Sequence, residues 1–217
     1  MSNNSVSFGE KLFTMTEYVG DHVILNFCFL LTSLPLFTLG ASFSALYAGC
    51  AALKQDKAAV SAYFAAFKKE FKRSTLMFLL VLPIAVIICL NLLSVIAYMN
   101  KGYDGYIAPM LLSVFSLHLL FSFLNTALMF NARFEAGSFG KLLANAGRFF
   151  LSYPLRNLLG GLLAWLPLFF FLLDPVSFMT LLLFWIFLFF GCVGSFYLWL
   201  LRKPLKQLED SVPQEEV

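Results

Sequence analysis

Residues 74–100 read STLMFLLVLPIAVIICLNLLSVIAYMN, twenty-seven positions without one Asp, Glu, Lys or Arg. The hydrocarbon core of a bilayer is about 30 Å thick and takes roughly 20 apolar residues at 1.5 Å rise each. The run is continuously apolar and lacks the alternation of a barrel strand, so it predicts a membrane-crossing helix. Working outward, charge-free intervals also cover 22–53, 105–132, 157–173 and 175–201. The 17-residue interval 157–173 lies near the lower limit, and gains length if Arg156 snorkels toward the interface.

The whole composition agrees with these intervals. Of 217 residues, 60% are hydrophobic and 12% charged, and mean hydropathy is +0.83. Soluble domains carry roughly 25% charged residues. The 27 charges present (15 basic, 12 acidic) are too few to cover a soluble globule. A soluble enzyme, a nucleic-acid binder and a disordered adaptor are thereby excluded. The expected fold is all-α, a polytopic transmembrane helical bundle of about five spans forming a single membrane domain over 1–217. A polar segment, 1–20, precedes it without the pattern of a cleavable signal peptide, so the first apolar run is expected to stay in the mature protein.

Lys and Arg set the expected orientation. Lys54, Lys57, Lys68, Lys69, Lys72 and Arg73 follow the first run; Arg133, Lys141, Arg148 and Arg156 follow the third; Arg202, Lys203 and Lys206 follow the fifth. Thirteen of 15 basic residues thus fall in alternate connections, which the positive-inside rule assigns to the cytoplasm. The C-terminal segment, 202–217, is expected there, and its last stretch, QLEDSVPQEEV (207–217), is expected to be an acidic, disordered tail. The first run, 22–53, is broken by Pro35 and Gly40. It either crosses once as a kinked helix, with the N-terminus outside, or re-enters as a hairpin, with the N-terminus inside. The second piece, 41–53, is about 20 Å long and short for a full crossing, which favours the single kinked span.

The connection 54–73 contains SAYFAAFKKEFKRS. Phe64, Phe67 and Phe71 recur at helical spacing with Tyr63 beside them, and Lys68, Lys69, Lys72 and Arg73 take the complementary positions. This predicts an amphipathic helix at the cytoplasmic interface, attracting anionic lipid headgroups or docking a partner protein. The later connection, GSFGKLLANAGRFFLSYPLR, repeats the theme. At an offset of 84, Lys72 falls on Arg156, Leu79 on Leu163 and Pro83 on Pro167, which suggests a parallel repeat.

The stretch LPLFTLGASFSALY, with Leu34, Pro35, Thr38, Gly40, Ala41, Ser42, Ala45, Leu46 and Tyr47, resembles the YesL-like family of bacterial membrane proteins, a domain of unknown function. The spacing of Phe64, Phe67, Phe71 and Lys72 is similar to the family pattern, and the match covers roughly 20–100. Genes of that family tend to sit beside carbohydrate ABC-transporter and glycoside-hydrolase genes. The resemblance therefore implies a bacterial cell-membrane protein with an accessory role in sugar uptake or its regulation, possible contact with transporter subunits included. It brings no catalytic or binding residues to carry over.

Physically, the same motif reads as a helix break. Pro35 supplies no backbone donor and Gly40 permits a sharp turn. Thr38, Ser42 and Ser44 are placed to satisfy the carbonyls so freed, as hydrocarbon demands. Further polar residues lie within the apolar runs. His118, Ser122 and Asn125 share one helical face, His22, Asn26 and Ser33 another, and Asn91 sits in the second span. They could line a cavity in which His118 makes a proton-linked or sugar-hydroxyl contact. The reading the sequence favours is interhelical hydrogen bonding, worth about 0.6 kcal/mol per contact on average.

Other residues read as structural. Gly160, Gly161, Ala164, Gly191 and Gly194 suit close helix packing. Cys28, Cys50, Cys89 and Cys192 have no metal or redox spacing and read as small buried hydrophobes. Arg133 and Glu135 mark the end of the third span. No catalytic motif, metal ligand set or cofactor signature occurs. The functional expectation is a non-enzymatic accessory or scaffold protein; the alternative is a small oligomeric permease for a sugar or related solute, using the His118 face.

Overall fold

In the computed structural model the described residues are 8–211, except 56, 103, 135–136, 168–169 and 171–173. Among them the chain is helical and without strands, an all-α bundle. Its elements are α1 (Phe8–Ser33), α2 (Leu39–Leu53), α3 (Ala59–Met99), α4 (Ile107–Arg133), α5 (Phe139–Ser152) and α6 (Pro154–Ala164). After these come α7 (Pro175–Thr180), α8 (Leu182–Leu200) and α9 (Arg202–Ser211). Among the described residues four helical segments are long and apolar enough to cross a bilayer: Leu36–Leu53, α3, α4 and α8. The interval 157–173 is not among them, because α6 ends at Ala164 and five residues beyond it lie outside the described set.

The first apolar run is a hairpin, and the single kinked crossing is corrected. α1 ends at Ser33, the chain turns through Leu34 and Pro35 into a short 3-10 turn (Leu36–Thr38), and α2 runs back along α1. Phe29 packs on Phe43 with ring centroids 4.9 Å apart, and a Cβ on Gly49 would lie 2.6 Å from Leu25 Cδ2. Pairs whose numbers converge toward the turn in this way define antiparallel helices. The start of the hairpin, at Glu17, Tyr18 and Asp21, consequently meets its end at Leu53 and Lys57 around a cavity of about 370 Å³.

Polar side chains hold the turn. The Thr38 hydroxyl lies 2.5 Å from the Thr32 carbonyl and 2.6 Å from that of Pro35, and Ser42 donates to the Thr38 carbonyl at 3.1 Å. Tyr63 of α3, fully buried, places its hydroxyl 2.5 Å from that of Thr32. Thr38 and Ser42 thus satisfy freed backbone as expected. Ser44 does something else, donating to the Leu128 carbonyl of α4 at 2.9 Å. Gly40 also differs from its reading. It is helical, and its missing side chain lets the α3 backbone approach, for a Cβ there would overlap the Ser74 carbonyl oxygen and sit 2.8 Å from Phe78 Cβ.

α2 is the hub. Of its membrane-length segment 72% is buried, against 6% for the apolar window of α3. At 41 residues α3 is about 62 Å long, twice the hydrocarbon thickness. Its helix is uninterrupted through Pro83, so 59–73 is the first part of one long helix, packed along α2 from Ala59 beside Gly49 to Ser74 beside Gly40, instead of lying flat as a separate interfacial helix. The packed line on that segment is Ala59, Tyr63, Glu70 and Ser74, while Phe64 is exposed. The register of the expected apolar face is therefore rotated toward Tyr63. The second half does not repeat this pattern: the segment offset by 84 breaks at Tyr153–Pro154 into α5 and α6.

The basic connections converge at one end. Arg73 donates to the Gly137 carbonyl at 2.7 Å, Tyr153 to Gln207 at 3.1 Å, and Arg133 pairs with Glu209. Glu209 belongs to α9, which is helical through Ser211 and corrects the expected disorder of the early tail; residues 212–217 lie outside the described set, as does Glu135. At the opposite end Tyr98 stacks on Tyr106, centroids 5.2 Å apart, beside the α3–α4 turn.

Two outcomes follow from the hairpin. Gly40→Ala overpacks the α2–α3 contact and should cost about 1–3 kcal/mol, seen as a lower thermal midpoint in detergent. Gly20→Ala, with open space around it, should leave the midpoint unchanged. In a background with the four native cysteines replaced, Glu17→Cys and Lys57→Cys should react with an impermeant thiol reagent from the same side of the membrane, and Gly105→Cys from the other. Labelling of Glu17→Cys from the Gly105→Cys side would sink the hairpin.

Candidate functional site

Polar side chains from five helices meet inside the bundle in two groups. The first joins α2, α4, α6 and α8. Tyr47 donates to the Asn125 side-chain oxygen, and Tyr197 donates to Asn157 Oδ1 at 2.7 Å. Thr126 lies 3.0 Å from both Asn157 Oδ1 and the Tyr197 hydroxyl. The Tyr47 and Tyr197 rings lie 5.7 Å apart, and all five residues are at most 5% exposed. Such closeness requires small neighbours. A Cβ on Gly160 would overlap the Tyr197 ring, and one on Gly161 the Ser122 hydroxyl.

The second group ties α1 to α8. His22 Nε2 and Ser195 Oγ are 2.8 Å apart, and His22 Nδ1 lies 2.8 Å from the Tyr18 carbonyl. Asn26, fully buried, donates to the carbonyls of Trp185 (3.3 Å) and Ile186 and accepts from the Gly191 N–H at 3.1 Å. Residues 185–189 of α8 are π-helical. In a π turn the N–H of residue i+5 faces the carbonyl of residue i. Asn26 inserts its amide between one such pair, Ile186 and Gly191, and completes the ladder from outside. Gly191 must lack a Cβ for this, since one would lie 3.0 Å from the His22 carbonyl oxygen. A side chain entering the ladder is a physical cause of helix distortion.

The residues singled out in the sequence are therefore distributed, not gathered. Asn125 belongs to the first group and Asn26 to the second. Ser122 is fully buried, beside Gly161, with its hydroxyl unpartnered. His118 is half-buried on α4 with Nδ1 unpartnered. Asn91 is remote from both groups and accepts from Ser113 at 2.9 Å. Pro35 and Thr38 form the hairpin turn and Gly40 and Ser42 the first turn of α2, while Lys68, Lys69 and Lys72 are exposed on the first part of α3 and Arg73 is spent on Gly137. Of the cysteines only Cys50 is fully buried; Cys89 and Cys192 face outward, which corrects their reading as core residues. Among the described residues no cluster of His, Cys, Asp and Glu could hold a metal ion.

Sequence reading missed Tyr47, Thr126, Asn157, Tyr197 and Ser195 as members of the network. The available signal was that tyrosine hydroxyls and amides buried in apolar surroundings need partners. Tyr47 and Tyr197 stand among 27 Phe residues of similar bulk, but unlike Phe each carries a hydroxyl.

These features define a polytopic α-helical membrane protein with a polar core sealed between helices. The model of a family described as a protein of unknown function, DUF624, matches residues 22–92, from His22 in α1 through the hairpin to Leu92 in α3. No curated protein and no solved structure matches the chain.

Removing the inserted amide should be costly. Asn26→Leu leaves the π-segment carbonyls and the Gly191 N–H unpaired, at about 1–3 kcal/mol for a buried unsatisfied group. Asn91→Leu, on an exposed stretch, should cost less than half as much. Thermal unfolding of the two variants in one detergent tests the order; equal losses would contradict the assignment.

Proposed function

We propose that this chain is a non-enzymatic accessory or scaffold protein of the bacterial cell membrane, linked to carbohydrate uptake or its regulation. The observation that carries the reading is the direction in which polar groups are used. Tyr47, Asn125, Thr126, Asn157, Tyr197, His22, Asn26 and Ser195 bond one another or backbone inside the bundle. Lys68, Lys69 and Lys72 instead lie on the exposed face of the first part of α3, opposite the face packed on α2. A protein with this allocation presents a surface to partners more readily than a path to solutes. The link to sugar transport, with ABC-transporter subunits as partners, rests on the resemblance to YesL-like proteins, and the basic end is assigned to the cytoplasm by the distribution of Lys and Arg; the family match over 22–92 is to a domain of unknown function.

A second reading has one observation in its favour. His118 Nδ1 and the Ser122 hydroxyl are buried on α4 without partners. A small oligomeric permease for a sugar or related solute would use them, with Asn125, to contact hydroxyl groups.

Sugar uptake in a deletion strain separates the two. The scaffold reading expects Lys68/Lys69/Lys72→Ala to abolish uptake while His118→Ala leaves it within twofold of wild type at equal protein level. The reverse pattern would overturn it in favour of the permease. Affinity capture in mild detergent should recover transporter subunits with wild type and lose them with the triple lysine variant.

A further inference from the structure

The ends of α2, α4 and α8 and the first turns of α9 enclose a cleft of about 180 Å³ that neither proposed role uses. Lys54, Arg133, Arg202 and Lys206 line it together with one carboxylate, Glu209, which is taken by Arg133. Four cations against one anion leave an excess of three positive charges in a confined space. Helix C-termini attract cations, which accounts for one basic residue at each end of α2, α4 and α8. It does not account for their convergence on a common cleft, nor for Lys206 as a fourth.

The cations are held in place by contacts that do not neutralise them. Lys54 donates to the Ser195 carbonyl at 3.2 Å, and the Arg202 guanidinium sits over the Trp199 ring at 5.1 Å. Burial of the Lys54 ammonium holds its pKa below the usual lysine range, and the charges of Arg133 and Arg202 add to that effect. Leu201 and Leu205, at most 3% exposed, fix α9 to the bundle, so the cleft wall is packed. An arginine fork and several ammonium groups around one small cleft match the oxygens of a phosphoryl group.

We propose that this cleft binds a single phosphate-type oxyanion, and that Glu209 of α9 competes with it for Arg133. The proposal is independent of the scaffold reading, since it concerns a ligand site away from Lys68, Lys69 and Lys72. The phosphoryl group can be borne by the headgroup of an anionic lipid or arrive as a soluble ion, and the two sources are separable.

The full chain is purified in detergent and tested in two arms. Native mass spectrometry measures retention of phosphatidylglycerol against phosphatidylcholine; calorimetry measures inorganic phosphate. Binding is expected in at least one arm. Arg202→Gln should weaken it about tenfold, the loss of one charge-assisted contact. Glu209→Gln should strengthen it several-fold by freeing Arg133, a gain that misfolding cannot mimic. Lys68→Gln, outside the cleft, should leave it within twofold. Phosphatidylglycerol retention with no phosphate binding assigns a lipid headgroup, and phosphate binding without lipid preference assigns a soluble anion. Absence of binding in both arms overturns the proposal. So does an equal effect of Lys68→Gln and Arg202→Gln, or a Glu209→Gln variant that binds no better than wild type.

Discussion

Hydrocarbon offers no partner to a freed backbone carbonyl, and the architecture depends on how this chain meets that constraint at residues 33–38. Pro35 cannot continue the helical ladder, so the carbonyls before it need other donors. Thr38 supplies a hydroxyl close to one of them, that of Thr32, and to the carbonyl of Pro35, and Ser42 in turn serves the carbonyl of Thr38. With the turn satisfied internally, α2 can fold back on α1 and occupy the centre of the bundle. Everything that packs on α2 inherits its position from that turn: Ser74 over Gly40, Leu128 over Ser44, Asn125 at Tyr47 and Gly191 at Cys50.

The same constraint recurs at Asn26. There the chain does not avoid a defect in the ladder; it fills one. A π segment in α8 is bridged by the Asn26 amide from α1. The two solutions are complementary, since in one a hydroxyl closes a local turn and in the other an amide closes a distant helix. Each converts an exposed backbone group into an interhelical tie. A glycine lies at the Asn26 contact, where Gly191 brings its backbone against that of His22, and another, Gly40, lies just past the turn, where α2 meets the α3 backbone at Ser74.

The bundle's outline was legible in sequence because charge is costly in lipid: the gaps between charged residues located both ends of α4 and the C-terminal ends of α3 and α8 closely, whereas α3 begins at Ala59, well before its gap. The break at Pro35 and Gly40 was legible too. Its direction was not. Proline marks where a helix stops, whereas the choice between kink and hairpin rests on Gly49 against Leu25 and Gly40 against Ser74, contacts made by residues well apart in sequence. Asn26 and Asn125 were picked out as polar residues at membrane depth, yet their partners, Gly191 and Tyr47, are set by packing. Asn157 escaped notice because it opens a charge-free interval and reads as a boundary, although it is fully buried.

Positive charge at one end of a membrane bundle is usually treated as a topological label, a matter of which side a loop takes. Here it also has a structural consequence. Arg73 reaches the connection after α4, Arg133 reaches α9, and Lys54 reaches the end of α8. These basic residues tie the connections together, and the ties use backbone carbonyls and a carboxylate. At the opposite end the described residues include the α3–α4 turn with the Tyr98–Tyr106 stack beside it. Apolar contact with lipid suffices to place the outer halves of α3 and α4, but the basic end must reconcile four chain segments that repel one another. A bundle built this way concentrates its polar specificity at one face and leaves the other to the bilayer.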